Sequence, residues 1–242
     1  EIGGIWFDGE WDQFKWDGKR FGEPMADFKL AEVYSLIHKL QPQALIGSNH
    51  HLAPNPGEDF QMFEKDLPGR STKSFATSAD DIGNLPLEVC ETINGSWGFN
   101  LKDRKHKSKK ELVQYLIKAA GYDSNLLLNV GPMPNGKIQK EHIKSLKEIG
   151  DWIKVNGETI YGTIRGPIDP TDEIASTQKD NTIYIHLLDN RKTYFIEGYN
   201  PKIKKISYYH SNKKVKYQKT KSGLIINVDD NELNEIDTII EL

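Results

Sequence analysis

Along the first two thirds of the chain, short apolar runs alternate with stretches whose apolar positions recur every three or four residues. Residues 3–7 and 44–47 predict strands. Between them Phe28, Ala31, Tyr34 (or Val33) and Ile37 recur at helical spacing behind Asp27, a residue suited to an N-cap. Residues 88–93 predict a third strand. Ser108 and Glu111 have capping-box spacing ahead of Leu112, Tyr115, Leu116 and Ala119, a helix that Gly121 ends. Residues 125–130 follow as a buried-type strand, and Ile143, Leu146, Ile149 and Ile153 mark a helix that stops near Gly157. Strands alternating with helices imply βαβ units and a parallel sheet. Residues 49–86 interrupt this rhythm with a connection rich in Pro, Gly, Asp and Ser, for which the pattern predicts no element. A connection of that length is more often functional than neutral.

From Gly166-Pro167 the period changes. Residues 182–187, 193–196, 203–209, 215–220, 224–228 and 238–242 are short, β-branched or aromatic, and separated by turn residues, which predicts an antiparallel β-sandwich. The expected organisation is therefore an α/β region over residues 1–165 and a β domain over 166–242. Residues 202–221 hold eight lysines and no acid, while 222–242 hold six acids and no base. Two solvated faces that pair with one another account for this. A polyanion site is the alternative, and a domain with no Arg beyond Arg191 suits it poorly.

Composition narrows the function classes. A chain of 242 residues with 32 basic and 35 acidic side chains lacks the concentrated positive charge of a nucleic-acid binder, so no nucleic-acid partner is expected. One cysteine excludes an intrachain disulfide and a cysteine-type zinc site. No run approaches 18 apolar residues, so no membrane span is expected. Residues 1–10 carry no initiator Met and no signal core, and the chain is expected to begin inside a strand, as a processed product or as part of a longer protein.

Candidate chemistry gathers at predicted strand ends. Trp6-Phe7-Asp8-Gly9 puts a carboxylate where a strand runs into a loop, which in a parallel α/β barrel is the active-site end. Asp-Gly is also a common turn pair. Trp11 brings an aromatic ring close by, as sugar sites do. The long connection offers Glu58, Asp59, Glu64 and Asp66. Two carboxylates in different surroundings are the minimum for glycoside hydrolysis, one ionised to attack and one protonated to assist the leaving group. Asn49-His50-His51 adds donors suited to sugar hydroxyls, and two adjacent His residues make a poor zinc site. Gly95-Ser96-Trp97-Gly98 supplies a second aromatic wall.

Four motifs in order, Gly-Ile-Trp-Phe-Asp8-Gly, Asp59-Phe60-x-x-x-Glu64, Glu91-Thr-Ile-Asn94-Gly-Ser-Trp97-Gly98 and Asn125-Leu-Leu-Leu-Asn129-Val-Gly131-Pro132-x-Pro-x-Gly136, resemble those of the α-L-fucosidases of glycoside hydrolase family 29. The resemblance runs from residue 1 to about 165. It implies a retaining exo-glycosidase on a (β/α)8-like barrel, of which this chain holds the C-terminal half, followed by an antiparallel β-sandwich. Asp8 would be the nucleophile and Glu64 the acid/base, with Glu58 or Asp66 next in line. Trp11 and Trp97 would pack on the fucose, and His50 or His51 would stand where many relatives carry an Arg. The resemblance implies no cofactor and no metal. It implies a fucosylated oligosaccharide or glycoconjugate as substrate, an N-terminal half-barrel as the missing partner, and a periplasmic or secreted location. A non-catalytic carbohydrate-binding protein on the same scaffold is the alternative function, and a glycosidase of another sugar specificity is a third.

Overall fold

The computed structural model describes residues 1–9, 14–16, 21–24, 26–50, 53–70 and 82–242. The chain divides into two compact units. One holds Glu1–Glu91 with Ser124–Leu128, and the other holds Thr92–Asp123 with Asn129–Leu242.

The first unit is built on a five-stranded sheet ordered β1-β4-β5-β6-β7. Its strands are β1 (Gly4–Asp8), β4 (Leu45–Asn49), β5 (Phe60–Glu64), β6 (Leu87–Thr92) and β7 (Ser124–Asn129). The pairs β1–β4, β4–β5 and β5–β6 are parallel. A two-stranded ladder, β2 (Phe14–Trp16) with β3 (Phe21–Pro24), and the helix α1 (Leu30–Leu40) join β1 to β4.

Two expectations about this unit need correction. The connection after β4 is not structureless, because β5 lies inside it. Met62 and Phe63 are buried there, and the equally buried Gln61 accepts the Gly83 N–H at 2.9 Å, so a polar residue fits mid-strand. Asp27 does not cap α1. It accepts the N–H of Lys29 at 2.9 Å, while Lys29 itself adopts a left-handed conformation (φ 56°) at the cap position.

On β1 the residues Gly4, Trp6 and Asp8 share one face, as alternation requires. On the neighbours the same face carries Asn49, Glu64, Glu88 and Cys90. The Trp6 indole donates to the Glu88 carboxylate at 3.3 Å, which burial holds above the usual carboxylate range although the indole bond opposes it. Gly47 is required on this face, since a Cβ there would meet the Phe60 ring at 2.2 Å.

The second unit contains α2 (Lys109–Gly121), α3 (Lys140–Asn156) and the β domain. The capping box at the start of α2 forms as expected, with Ser108 and Glu111 satisfying each other's backbone N–H groups. On α3 the buried face is His142, Ser145, Ile149, Trp152 and Asn156, whereas Ile143 and Leu146 are exposed. The expected face is rotated, because the larger Trp152 takes the inward position.

The β domain forms two antiparallel sheets around one apolar core. One is ordered β12-β15-β10-β9-β8 and the other β11-β14-β13. The strands are β8 (Ile164–Arg165), β9 (Ile174–Lys179), β10 (Thr182–Leu187), β11 (Thr193–Glu197), β12 (Ser207–Tyr208), β13 (Lys216–Lys219), β14 (Gly223–Asn227) and β15 (Thr238–Glu241). Ile185, Leu187, Tyr194, Ile196, Leu224, Ile226 and Ile240 fill the space between the sheets. The strand expected over 203–209 is reduced to two residues. Ile203 and Ile206 still pack into the core, but their lysine-rich surroundings form no further ladder. The opposite charge blocks do meet: Lys213 pairs with Glu232 at 2.7 Å and Lys216 with Asp229 at 2.9 Å.

Candidate active site

The parallel register sets the site. Asp8, the last residue of β1, lies opposite Asn49, the last residue of β4, and Glu64, the last residue of β5, lies opposite Cys90 on β6. Both acids thus stand at the carboxyl ends of parallel strands, where open α/β sheets and barrels place their reactive groups. Both are followed at once by a left-handed residue. Gly9 has φ 88° and Lys65 φ 58°. The glycine after Asp8 is therefore demanded by the backbone, and Lys65 holds a conformation that disfavours a side chain by roughly 1–2 kcal/mol. That reversal is closed by the Asp66 N–H, which donates to the Glu64 carbonyl at 2.6 Å.

One side chain joins the two acids. The Asn49 Nδ2 donates to Asp8 Oδ1 at 3.2 Å and to Glu64 Oε2 at 2.9 Å. Two oxygens held by one nitrogen lie no more than about 6 Å apart, a limit that includes the roughly 5–5.5 Å between the carboxyl groups of retaining glycosidases. Asn49 is 2% exposed and Glu64 9%, whereas Asp8 lies open. One acid in a dry setting beside one in a wet setting is the asymmetry that separates an acid from a nucleophile.

The remaining acids of the connection serve other contacts. Glu58 is buried, and its Oε1 meets His50 Nε2 at 2.9 Å and the Tyr34 hydroxyl at 3.2 Å. Asp59 Oδ2 accepts the Ile46 N–H at 2.8 Å and lies 2.9 Å from His38 Nε2, so it ties β4 to α1. Asp66 is buried as well. Cys90, opposite Glu64, has its thiol pushed up to about 12 by burial first and then by Glu64, Glu88 and Asp8, so it stands neutral beside the acids.

His50 therefore faces Glu58, and His51 and Trp11 lie outside the described residues. Trp97 belongs to the second unit. It is partly exposed, its carbonyl accepts from Asn129 Nδ2 at 2.7 Å, and Asp103 braces its turn by accepting from the Gly95 N–H and the Ser96 hydroxyl. The Ser96 bond is also the main reason that Asp103 titrates below the usual carboxylate range. Gly131 allows that turn to approach, for a Cβ there would meet the Gly98 and Phe99 backbone at 2.5 Å. Sequence reasoning named Asn49 only as a sugar donor. Its bridge depends on strand register, which no local pattern carries. Among the described residues no group of three or more His, Cys, Asp or Glu side chains could hold a metal ion, and no helix is long and apolar enough to cross a membrane.

The family model described as Alpha-L-fucosidase matches residues 1–158. The plasma alpha-L-fucosidase of Homo sapiens is 30% identical over 161 residues, covering 55% of this chain and 34% of that protein. The alpha-L-fucosidase of Branchiostoma floridae is 26% identical over 207 residues, covering 73% of this chain and 45% of its own length. Among solved structures, alpha-L-fucosidase isoenzyme 1 from Paenibacillus thiaminolyticus has 29% identity and a TM-score of 0.74, over 100% of this chain and 57% of that one. The Thermotoga maritima alpha-fucosidase, 23% identical with a TM-score of 0.69 over 88% of this chain and 48% of its own, shares the fold. The chain spans about a third of the length of its plasma relatives. With that family model matching residues 1–158 of its 242, the chain belongs to the alpha-L-fucosidase family.

Proposed function

We propose that this chain carries the nucleophile and the acid/base of a retaining exo-α-L-fucosidase. The observation that supports it most is the single Asn49 nitrogen bonded to both carboxylates, which suits the close spacing of a double displacement. Asp8 attacks the anomeric carbon of a terminal fucose. The bond to the leaving oxygen breaks, and that oxygen takes the proton of Glu64. Glu64, now ionised, removes a proton from water, and the water oxygen attacks the anomeric carbon and frees Asp8. Configuration is retained because the centre inverts twice.

In this reading Trp11 packs against the sugar. His50 acts through its pair with Glu58, and direct contact with the hydroxyls is left to His51. The substrate is a fucosylated oligosaccharide or glycoconjugate, met in the periplasm or outside the cell. Residues 1–165 form the second half of a (β/α)8-like barrel, residues 166–242 form a β-sandwich, and a further half-barrel pairs along β1 to complete the pocket. The chemistry assigns no step to a cofactor.

The test is kinetic and uses the complete polypeptide. Asp8→Ala abolishes turnover on every α-L-fucoside, because covalent attack is needed whatever the leaving group. Glu64→Ala loses far more on poor leaving groups than on activated aryl fucosides, and azide partly restores it. Equal losses on both substrate types remove Glu64 from the acid role. Fucose binding without any release of the aglycone would favour the carbohydrate-binding alternative.

A further inference from the structure

We propose that Asn49 is a positioning residue that holds the Asp8 and Glu64 carboxyl groups at working distance through one buried amide. The proposal rests on the reading of Asp8 and Glu64 as nucleophile and acid/base. The two ends of an Asn amide have nearly the same shape, so the neighbours decide which end faces them. Here both neighbours are carboxylates, and only the NH2 end donates to both, one hydrogen to Asp8 Oδ1 and one to Glu64 Oε2. A donor that points at a carboxylate favours its charged form, so the amide serves whichever of the two acids holds the charge.

The arrangement also follows the charge through the reaction. In the first half-reaction Asp8 puts its charge into the new ester bond while Glu64 loses its proton and becomes the anion. In the second half-reaction the charge returns to Asp8. The amide borders both positions and, at 2% exposed, exchanges little with water, so a single fixed donor serves the charge wherever it stands. The parallel register fixes it there, since Asn49 ends β4 directly opposite Asp8.

The experiment compares the parent with Asn49→Ala and Asn49→Asp on the complete polypeptide. Asn49→Ala lowers kcat by about 10²-fold, the usual effect of removing one preorganised donor, and changes KM far less. Asn49→Asp replaces the donor with a third carboxylate, and like charge raises carboxyl titration, so both limbs of the kcat/KM profile move to higher pH. Carboxyl NMR on 13C-labelled protein reads the same upward displacement of Asp8 and Glu64 without any turnover, in whichever variant folds. A parent that hydrolyses fucosides while Asp8 and Glu64 titrate unchanged in Asn49→Asp overturns the role of Asn49 alone. A parent that hydrolyses no α-L-fucoside overturns the reading of the site on which it rests.

Discussion

Glu58 and Glu64 stand six residues apart and have opposite surroundings. Glu64 shares the Asn49 amide with Asp8, whereas Glu58 is enclosed by His50 and Tyr34. Glu58→Gln keeps the shape and removes the charge those two groups face, so the fold should lose about 1–3 kcal/mol, while the dependence of rate on the leaving group stays that of the parent. A changed leaving-group dependence in Glu58→Gln would move the acid role to it. Cys90 gives a second prediction, in pH. Its thiol titrates higher folded than unfolded, so its contribution to stability is fully present below the ordinary thiol range and is lost as pH rises towards about 12. Native protein at pH 8 should therefore resist iodoacetamide and react once unfolded; alkylation of the native chain at the unfolded rate would contradict the burial. Asp8 and Glu64 could be singled out because Trp-Phe-Asp-Gly and Asp-Phe-x-x-x-Glu are local patterns, and only the family resemblance joined the two. The place of Asn49 between them was not legible, since the bridge exists only once Asp8 and Asn49 are set opposite one another.

Elements with strong periodicity or a cap were legible to within a residue or two, α2 above all, where Ser108 and Glu111 announce the start. Those that failed did so for polar reasons. Strand β9 pairs with both β8 and β10, yet its Ala175, Ser176 and Thr177 read as loop. Ser176 and Thr177 can be buried because their hydroxyls bond backbone: Ser176 Oγ donates to the Ile168 carbonyl at 2.8 Å and Thr177 Oγ1 to the Thr159 carbonyl at 2.6 Å. Gln114 does the same between elements. From α2 its amide donates to the carbonyls of Leu188 and Ile236, the latter at 2.8 Å, so one polar side chain fastens the helix to the β domain. Gln114→Ala leaves two part-buried carbonyls without that donor. It should lower stability by about 1–3 kcal/mol, read as a fall in the urea midpoint with the slope unchanged. A midpoint equal to the parent's would show that water replaces the amide without penalty.

At the scale of the whole molecule, the open sheet of the first unit is the feature with the largest consequence. β1 pairs with β4 on one side, and no described strand pairs with it on the other, while β7 ends the sheet at the far edge. Trp6 and Leu45 are 40% and 54% exposed on the strands, and Leu36 and Leu40 are 54% and 70% exposed on α1. A parallel sheet is normally buried on both faces, and a barrel has no edge at all, so this is the surface that the proposed half-barrel would bury. Strands that continue the sheet beyond β1 would cover it and would bring side chains opposite Asp8. Residues 1–242 expressed alone should therefore self-associate, and those β1 amides that do not face β4 should exchange hydrogen rapidly. Adding the complementary half-barrel in trans should give a single species in which the same amides are protected and α-L-fucoside hydrolysis appears. The decisive comparison is exchange at Gly4–Asp8 with and without that partner. A monomer of residues 1–242 with protected β1 amides and full activity would show that the five-stranded sheet is sufficient by itself.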